Sequence, residues 1–144
     1  MKGLDPEQVL FGEKEVEFDL PLLTEKVRCE TNLAVLQQQV SGRLCLTNYR
    51  VVFKPHISNK TTQTELTEST LKIINKPYIL EYFNVPLGLI FSVEARTPVK
   101  GNNKAGDSFV EVVTKDGRQI KFIVPDPYFG ETVAAKIKVQ AFLD

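Results

Sequence analysis

The sequence is poor in the residues on which metal and nucleophile chemistry depends. It has one histidine, His56, and two cysteines, Cys29 and Cys45, among its 144 residues. A single histidine excludes a histidine-based zinc site or a Ser-His-Asp triad within one chain. The two cysteines lack metal-ligand spacing and are too few for a secreted disulfide scaffold, which favours a reducing, cytoplasmic setting. We therefore expect neither a metal nor a cofactor.

The sequence also lacks a net charge and a long apolar run. Its eighteen basic residues balance eighteen acidic ones, which argues against a broad surface for nucleic acid. No apolar stretch approaches the roughly 20 residues that a membrane-crossing helix needs. The sequence thus predicts no transmembrane segment, and any contact with a membrane is expected to be peripheral and local.

Catalytic motifs are missing as well. Cysteine-based phosphate hydrolysis needs a cysteine, five intervening residues and an arginine, but the sixth position beyond Cys29 is Val35 and beyond Cys45 is Val51. The glycine-rich stretch 101–106 lacks the pattern of a phosphate-binding loop. We therefore predict that the chain is not an enzyme.

What the sequence does contain is a series of short segments in which apolar and polar residues alternate, the pattern of half-buried strands. The Asp116-Gly117 pair favours a two-residue type I′ turn between the last two strands, and the polar residues 58–72 predict a flexible loop. About seven strands are predicted, at residues 15–20, 41–47, 49–54, 78–83, 87–95, 108–114 and 119–124.

The last segment changes to a helical period. Asp126 can cap this helix and Pro127 suits its first turn, so a helix is predicted over about 127–143. Its apolar positions recur every four residues, at Phe129, Val133, Ile137 and Ala141. The order of elements predicts a single domain over 1–144: a mainly β barrel or sandwich of antiparallel strands, capped by one C-terminal helix.

A family resemblance extends this interpretation. Residues 42–53, Gly-Arg-Leu-Cys-Leu-Thr-Asn-Tyr-Arg-Val-Val-Phe, resemble the signature of GRAM domains, a branch of the pleckstrin-homology-like (PH-like) superfold, and are closest to the version in myotubularin-family proteins. Residues 85–94, which contain Val-Pro-Leu-Gly-Leu-Ile and then Val-Glu, are similar to a later strand of that family. Its glycine- and asparagine-rich loop, hairpin and final helix also occur in the expected order.

The resemblance implies a non-catalytic targeting module. Such a domain would bind phosphoinositide-containing membranes, endosomal or plasma, for a larger myotubularin-like protein. Two alternatives stay open: a protein-protein interaction module that takes a partner segment at a strand edge or a helix-sheet groove, as in GLUE-like or PH-like docking, and an intramolecular brace for a neighbouring domain.

A phosphoinositide headgroup is held by several converging cations, because its phosphates accept charge-assisted hydrogen bonds. In the superfold these cations lie near the loop ends of the sheet. The candidate lipid-binding residues are therefore Lys54, His56, Lys60, Lys72, Lys76, Arg96, Lys100 and Lys104.

Overall fold

Seven antiparallel strands form one sheet in the computed structural model, which describes residues 14–18, 26–36, 38–56, 66–96 and 106–142. Along the sheet the strands follow the order β4-β3-β2-β1-β7-β6-β5, so that β4 and β5 form its two edges. The strands are β1 (Val27–Thr31), β2 (Val40–Leu46), β3 (Arg50–Pro55), β4 (Asn84–Pro86), β5 (Ile90–Arg96), β6 (Ser108–Thr114) and β7 (Gln119–Val124).

Within the described ranges, three α-helices accompany the sheet: α1 (Glu68–Ile73), α2 (Pro77–Tyr82) and α3 (Phe129–Phe142). The last of these begins where Asp126 Oδ1 accepts hydrogen bonds from the backbone N–H groups of Tyr128 and Phe129, at 2.9 and 2.7 Å. This is the N-cap arrangement that the sequence predicts. Helix α3 then packs against β5, β6 and β7.

The core lies between the concave face of the sheet and α3. Its largest side chains include Phe53, Phe83 and Phe122, and the Phe53 ring centroid lies 5.1 Å from that of Phe83 and 5.9 Å from that of Phe122. Gly42 makes room for this cluster: a Cβ atom there would lie 2.6 Å from the Phe53 ring and 2.4 Å from the Lys54 carbonyl oxygen. On α3, the apolar stripe is buried at Val133 and Ile137, as predicted.

The predicted mainly β architecture of antiparallel strands closed by a C-terminal helix is confirmed. The two predicted hairpins, β2–β3 and β6–β7, are present with strand ends within one residue of those predicted. No helix within the described ranges is long and apolar enough to cross a membrane.

The predicted first strand at 15–20 is not a strand in its described part. Glu17 forms an isolated antiparallel bridge with Thr47, and residues 19 and 20 lie outside the described residues. Strand β1, which was not predicted, occupies Val27–Thr31 instead. It pairs with both β2 and β7 and so joins the two halves of the sheet.

Two predictions for the β3–β4 connection are wrong. Residues 78–83 form helix α2 and its C-cap rather than a strand, because Pro77 is at the first helical position and the buried Ile79 and Phe83 are four residues apart. Residues 68–72 belong to α1 rather than to a loop, since Thr67 caps that helix by accepting the N–H of Thr70 at 3.2 Å. The rest of the predicted loop up to residue 65 lies outside the described residues.

The remaining differences are small. Residues 115–118 separate β6 from β7, in agreement with the predicted strand ends, but they do not form the predicted two-residue turn. Gly117 has a φ of 97° and donates its N–H to the Thr114 carbonyl at 3.2 Å, so the turn is a longer type than the predicted I′ turn. Residues Leu87–Leu89 form a 3-10 turn, and β5 begins only at Ile90.

Candidate functional site

Three of the predicted lipid-binding lysines are exposed in β3 and the connection that follows it. Lys54 lies on the outer face of β3 opposite Arg43 of β2, while Lys72 is on α1 and Lys76 precedes α2. None of the three forms an ion pair within the described part of the chain. Among the described residues, no carboxylate therefore neutralises them. The candidates Lys60, Lys100 and Lys104 lie outside the described residues.

Arg96 and His56 differ from these lysines. Arg96 ends the edge strand β5, separated from β3 by four strands, and its Nε lies 3.1 Å from Glu111 Oε1. His56 is half-buried, and its backbone N–H donates to the Ser41 carbonyl at 2.9 Å. The structure thus does not bring all the predicted cations together.

The connection between β3 and β4 is fastened to the β6–β7 hairpin by Arg118. Its Nη1 donates to the carbonyl oxygens of Glu81, Tyr82 and Asn84 at 3.0–3.3 Å, while its Nη2 lies 3.0 Å from Asp116 Oδ2. The guanidinium also lies 5.9 Å from the centroid of the Tyr82 ring. Because these carbonyls end helix α2, Arg118 acts as its C-terminal cap and its donors are occupied.

Asn32 adds the β1–β2 loop to the same junction. Its Nδ2 donates to the Gly117 carbonyl at 3.1 Å, and its Oδ1 accepts from the Gln119 backbone N–H at 3.1 Å and from the Tyr82 hydroxyl. Three connections of the sheet therefore meet in one hydrogen-bonded junction. We call Asn32, Tyr82, Asp116 and Arg118 the locked end.

The signature turn between β2 and β3 holds the extended segment 14–18. Asn48 Oδ1 accepts from the Val16 N–H at 2.8 Å, and its Nδ2 donates to the Lys14 carbonyl at 3.0 Å. The Asn48 backbone N–H donates to the Val16 carbonyl at 3.2 Å. The side chain and backbone of Asn48 thus make the hydrogen bonds to this segment that a neighbouring strand would otherwise make.

The segment is amphipathic. Glu15 lies 2.7 Å from Arg50 Nε and accepts from the Thr47 hydroxyl at 2.8 Å, and Glu17 lies 2.8 Å from Arg43 Nη2. Val16 and Phe18 alternate with these glutamates and point to the other side. The signature residues therefore act structurally, by binding the chain's own acidic segment.

On that other side, Phe18 lines an open groove against the end of α3. The groove has a volume of about 370 Å³, and its lining residues are Phe18, Leu46, Lys136, Val139 and Gln140.

Neither cysteine has the character of a nucleophile. Burial raises the pKa of the Cys29 thiol well above its ordinary value. Burial also raises the pKa of the Cys45 thiol, because its effect exceeds the lowering by the positive charges of Lys54 and Arg43. Thiols with raised pKa values remain protonated and unreactive at neutral pH. The described residues contain no group of three histidine, cysteine or acidic side chains that could hold a metal ion.

Comparison with known proteins supports the fold. No family model matches the chain, and no curated protein matches it. One similar solved structure is that of Vav1 inhibited by an allosteric inhibitor, where Vav1 inhibitors block GEF activity. It covers 99% of this chain with a TM-score of 0.52 and 7% sequence identity. The chain spans 31% of the length of that protein. The likeness shows a PH-like fold.

Proposed function

We propose that this chain is a non-catalytic targeting domain that binds phosphoinositide-containing membranes for a larger protein. The observation that carries the proposal is the set of three exposed lysines, Lys54, Lys72 and Lys76, which lack carboxylate partners in the described part of a PH-like fold. Cations left without an internal partner are available to multivalent phosphate groups. The resemblance of residues 42–53 to GRAM domains of myotubularin-like proteins supports the same assignment.

The experiment is co-sedimentation of the purified chain with phosphatidylcholine vesicles that carry each phosphoinositide in turn, at low and at physiological salt. Near an anionic surface each lysine contributes about 1 kcal/mol. Replacement of Lys54, Lys72 and Lys76 by Gln should therefore lower partitioning by roughly two orders of magnitude. The same three positions changed to Arg keep the charge and serve as the matched control. Equal binding of wild type to plain phosphatidylcholine would refute the proposal.

A second function, docking of a protein segment, is favoured by the free edge of β5. Within the described residues β5 pairs only with β6, and Phe91 on this strand is 68% exposed. An unpaired edge beside a large exposed side chain can accept an added strand. This candidate predicts that Phe91→Asp weakens a protein interaction of the full-length protein while vesicle binding is unchanged.

A further inference from the structure

Helix α3 carries a second apolar stripe that the core does not use. Its buried side contains Val133 and Ile137, but Val139 and Phe142 on its outer side are each 46% exposed. Ala135 lies on this outer side as well, one turn before Val139. A helix that is apolar on two sides and buried on one requires a partner for the other.

The charged residues at the C-terminal end of this stripe are positive, whereas Glu131 lies one turn before Ala135 at its other end. Residues 135–142 contain Lys136 and Lys138, both exposed, and no acidic residue. On a helix these lysines lie to either side of the Val139–Phe142 stripe, because successive residues are 100° apart. Lys136 also lines the groove beside Phe18. An apolar strip between two cations is complementary to an anionic amphiphilic surface.

The extended segment 14–18 continues the same surface. Phe18 lines the groove, and Lys14 and Val16 lie on the same side of the segment because alternate residues share a side. Val16 is 52% exposed. The acidic residues of this segment, Glu15 and Glu17, are turned towards Arg50 and Arg43 and are paired there. Their carboxylates thus lie on the side of the segment opposite Val16.

We infer that Val16, Val139 and Phe142, surrounded by Lys14, Lys136 and Lys138, form a membrane-contact face that inserts apolar side chains into an anionic bilayer. The inference rests on the proposed function, and it adds an apolar contact to the headgroup contact made by lysines. The headgroup lysine Lys54 lies on β3 three residues from Val51, about 10 Å along the strand. Val51 is the register partner of Leu46, which lines the groove beside the face.

The sequence has no tryptophan, so one introduced indole reports on one position. Phe142→Trp places the indole on the face, and Phe91→Trp, on β5, is the control at a position that is more exposed, at 68% against 46%. With phosphatidylcholine vesicles that contain phosphatidylserine or a phosphoinositide, we expect a blue shift of emission and quenching by brominated acyl chains for Trp at position 142. We expect neither for Trp at position 91. Pure phosphatidylcholine should give no shift.

Charge reversal then tests the lysines. Lys136→Glu with Lys138→Glu should reduce partitioning at least tenfold and abolish the shift, and an unchanged thermal melt would show that the fold is intact. If vesicles sediment the protein but the emission at position 142 does not move, the inference is wrong while the proposed function stands. If no vesicle sediments the protein, the proposed function is wrong, and the inference that rests on it is wrong as well. A blue shift that depends on protein concentration without vesicles would assign the face to a second copy of the chain and overturn the inference.

Discussion

The locked end and the membrane-contact face use their polar groups in opposite ways. At the locked end, the side chains of Arg118 and Asn32 donate hydrogen bonds to backbone carbonyls, and the Tyr82 hydroxyl donates to Asn32. On the face, Lys136 and Lys138 surround exposed apolar side chains and form no ion pair within the described residues. A cation that caps a helix determines structure, whereas a cation beside an apolar strip is available to a partner.

The comparison also separates two kinds of aromatic side chain. Phe83, at the locked end, is 1% exposed and packs edge-on against both Phe53 and Tyr82. Phe142, on the face, is 46% exposed. Residue type alone does not distinguish them, since both are phenylalanines at the end of a helix. Their surroundings do, and the difference can be measured.

The largest effect is expected for Phe83. Its replacement by Ala should lower the free energy of unfolding by about 3–5 kcal/mol, because it removes a buried ring and leaves a cavity beside Phe53. Phe142→Ala should lower it by less than about 0.5 kcal/mol, because the residue is about half exposed and lies outside the core. Urea unfolding followed by circular dichroism compares the two. Equal losses for both variants would contradict the division of the molecule into a locked end and a contact face.

A smaller effect is expected for Arg118. Its replacement by Ala leaves the carbonyls of Tyr82 and Asn84 without this donor, which should cost about 2–3 kcal/mol of stability. Lys at the same position keeps the charge but cannot span several carbonyls, so it should restore less than half of the loss. Hydrogen exchange of the amides of residues 79–84 should rise in both variants. Unchanged exchange there would mean that α2 is held by other contacts.

The sequence predicts the parts of this fold that depend on local patterns. The β2–β3 and β6–β7 hairpins and the stripe on α3 follow from alternation, turn residues and a four-residue period, each of which acts within a few residues. The strand predicted at 78–83 was wrong for a related reason. Ile79 and Phe83 also fit a helix, and the choice depends on Pro77 and on packing against Phe53.

The site was harder to predict than the fold. Asn48 lies in the β2–β3 turn, and its hydrogen bonds to Lys14 and Val16 join residues more than thirty positions apart. Arg118 likewise binds carbonyls at 81–84, a contact that no local pattern indicates. The membrane-contact face has a local signal in the spacing of Ala135, Val139 and Phe142. The sequence does not distinguish this face, because the regular four-residue stripe from Phe129 to Ala141 already explains how the same helix packs on the core.

The smallest effect concerns Asp116, which closes the locked end at the β6–β7 turn. Hydrogen bonds from Thr114 and Arg118 lower the pKa of this carboxyl below its ordinary value. A lowered pKa means that the folded state favours the ionised carboxylate. The contribution of this carboxylate to stability is therefore complete above the ordinary pKa of about 3.9. It is lost as the pH falls through the lower pKa of the folded state. Thermal melts of wild type and Asp116→Asn between neutral and acid pH should therefore converge below about pH 4, because only wild type loses this contribution. Parallel curves over the whole range would show that the Arg118–Asp116 pair does not help to hold the locked end together.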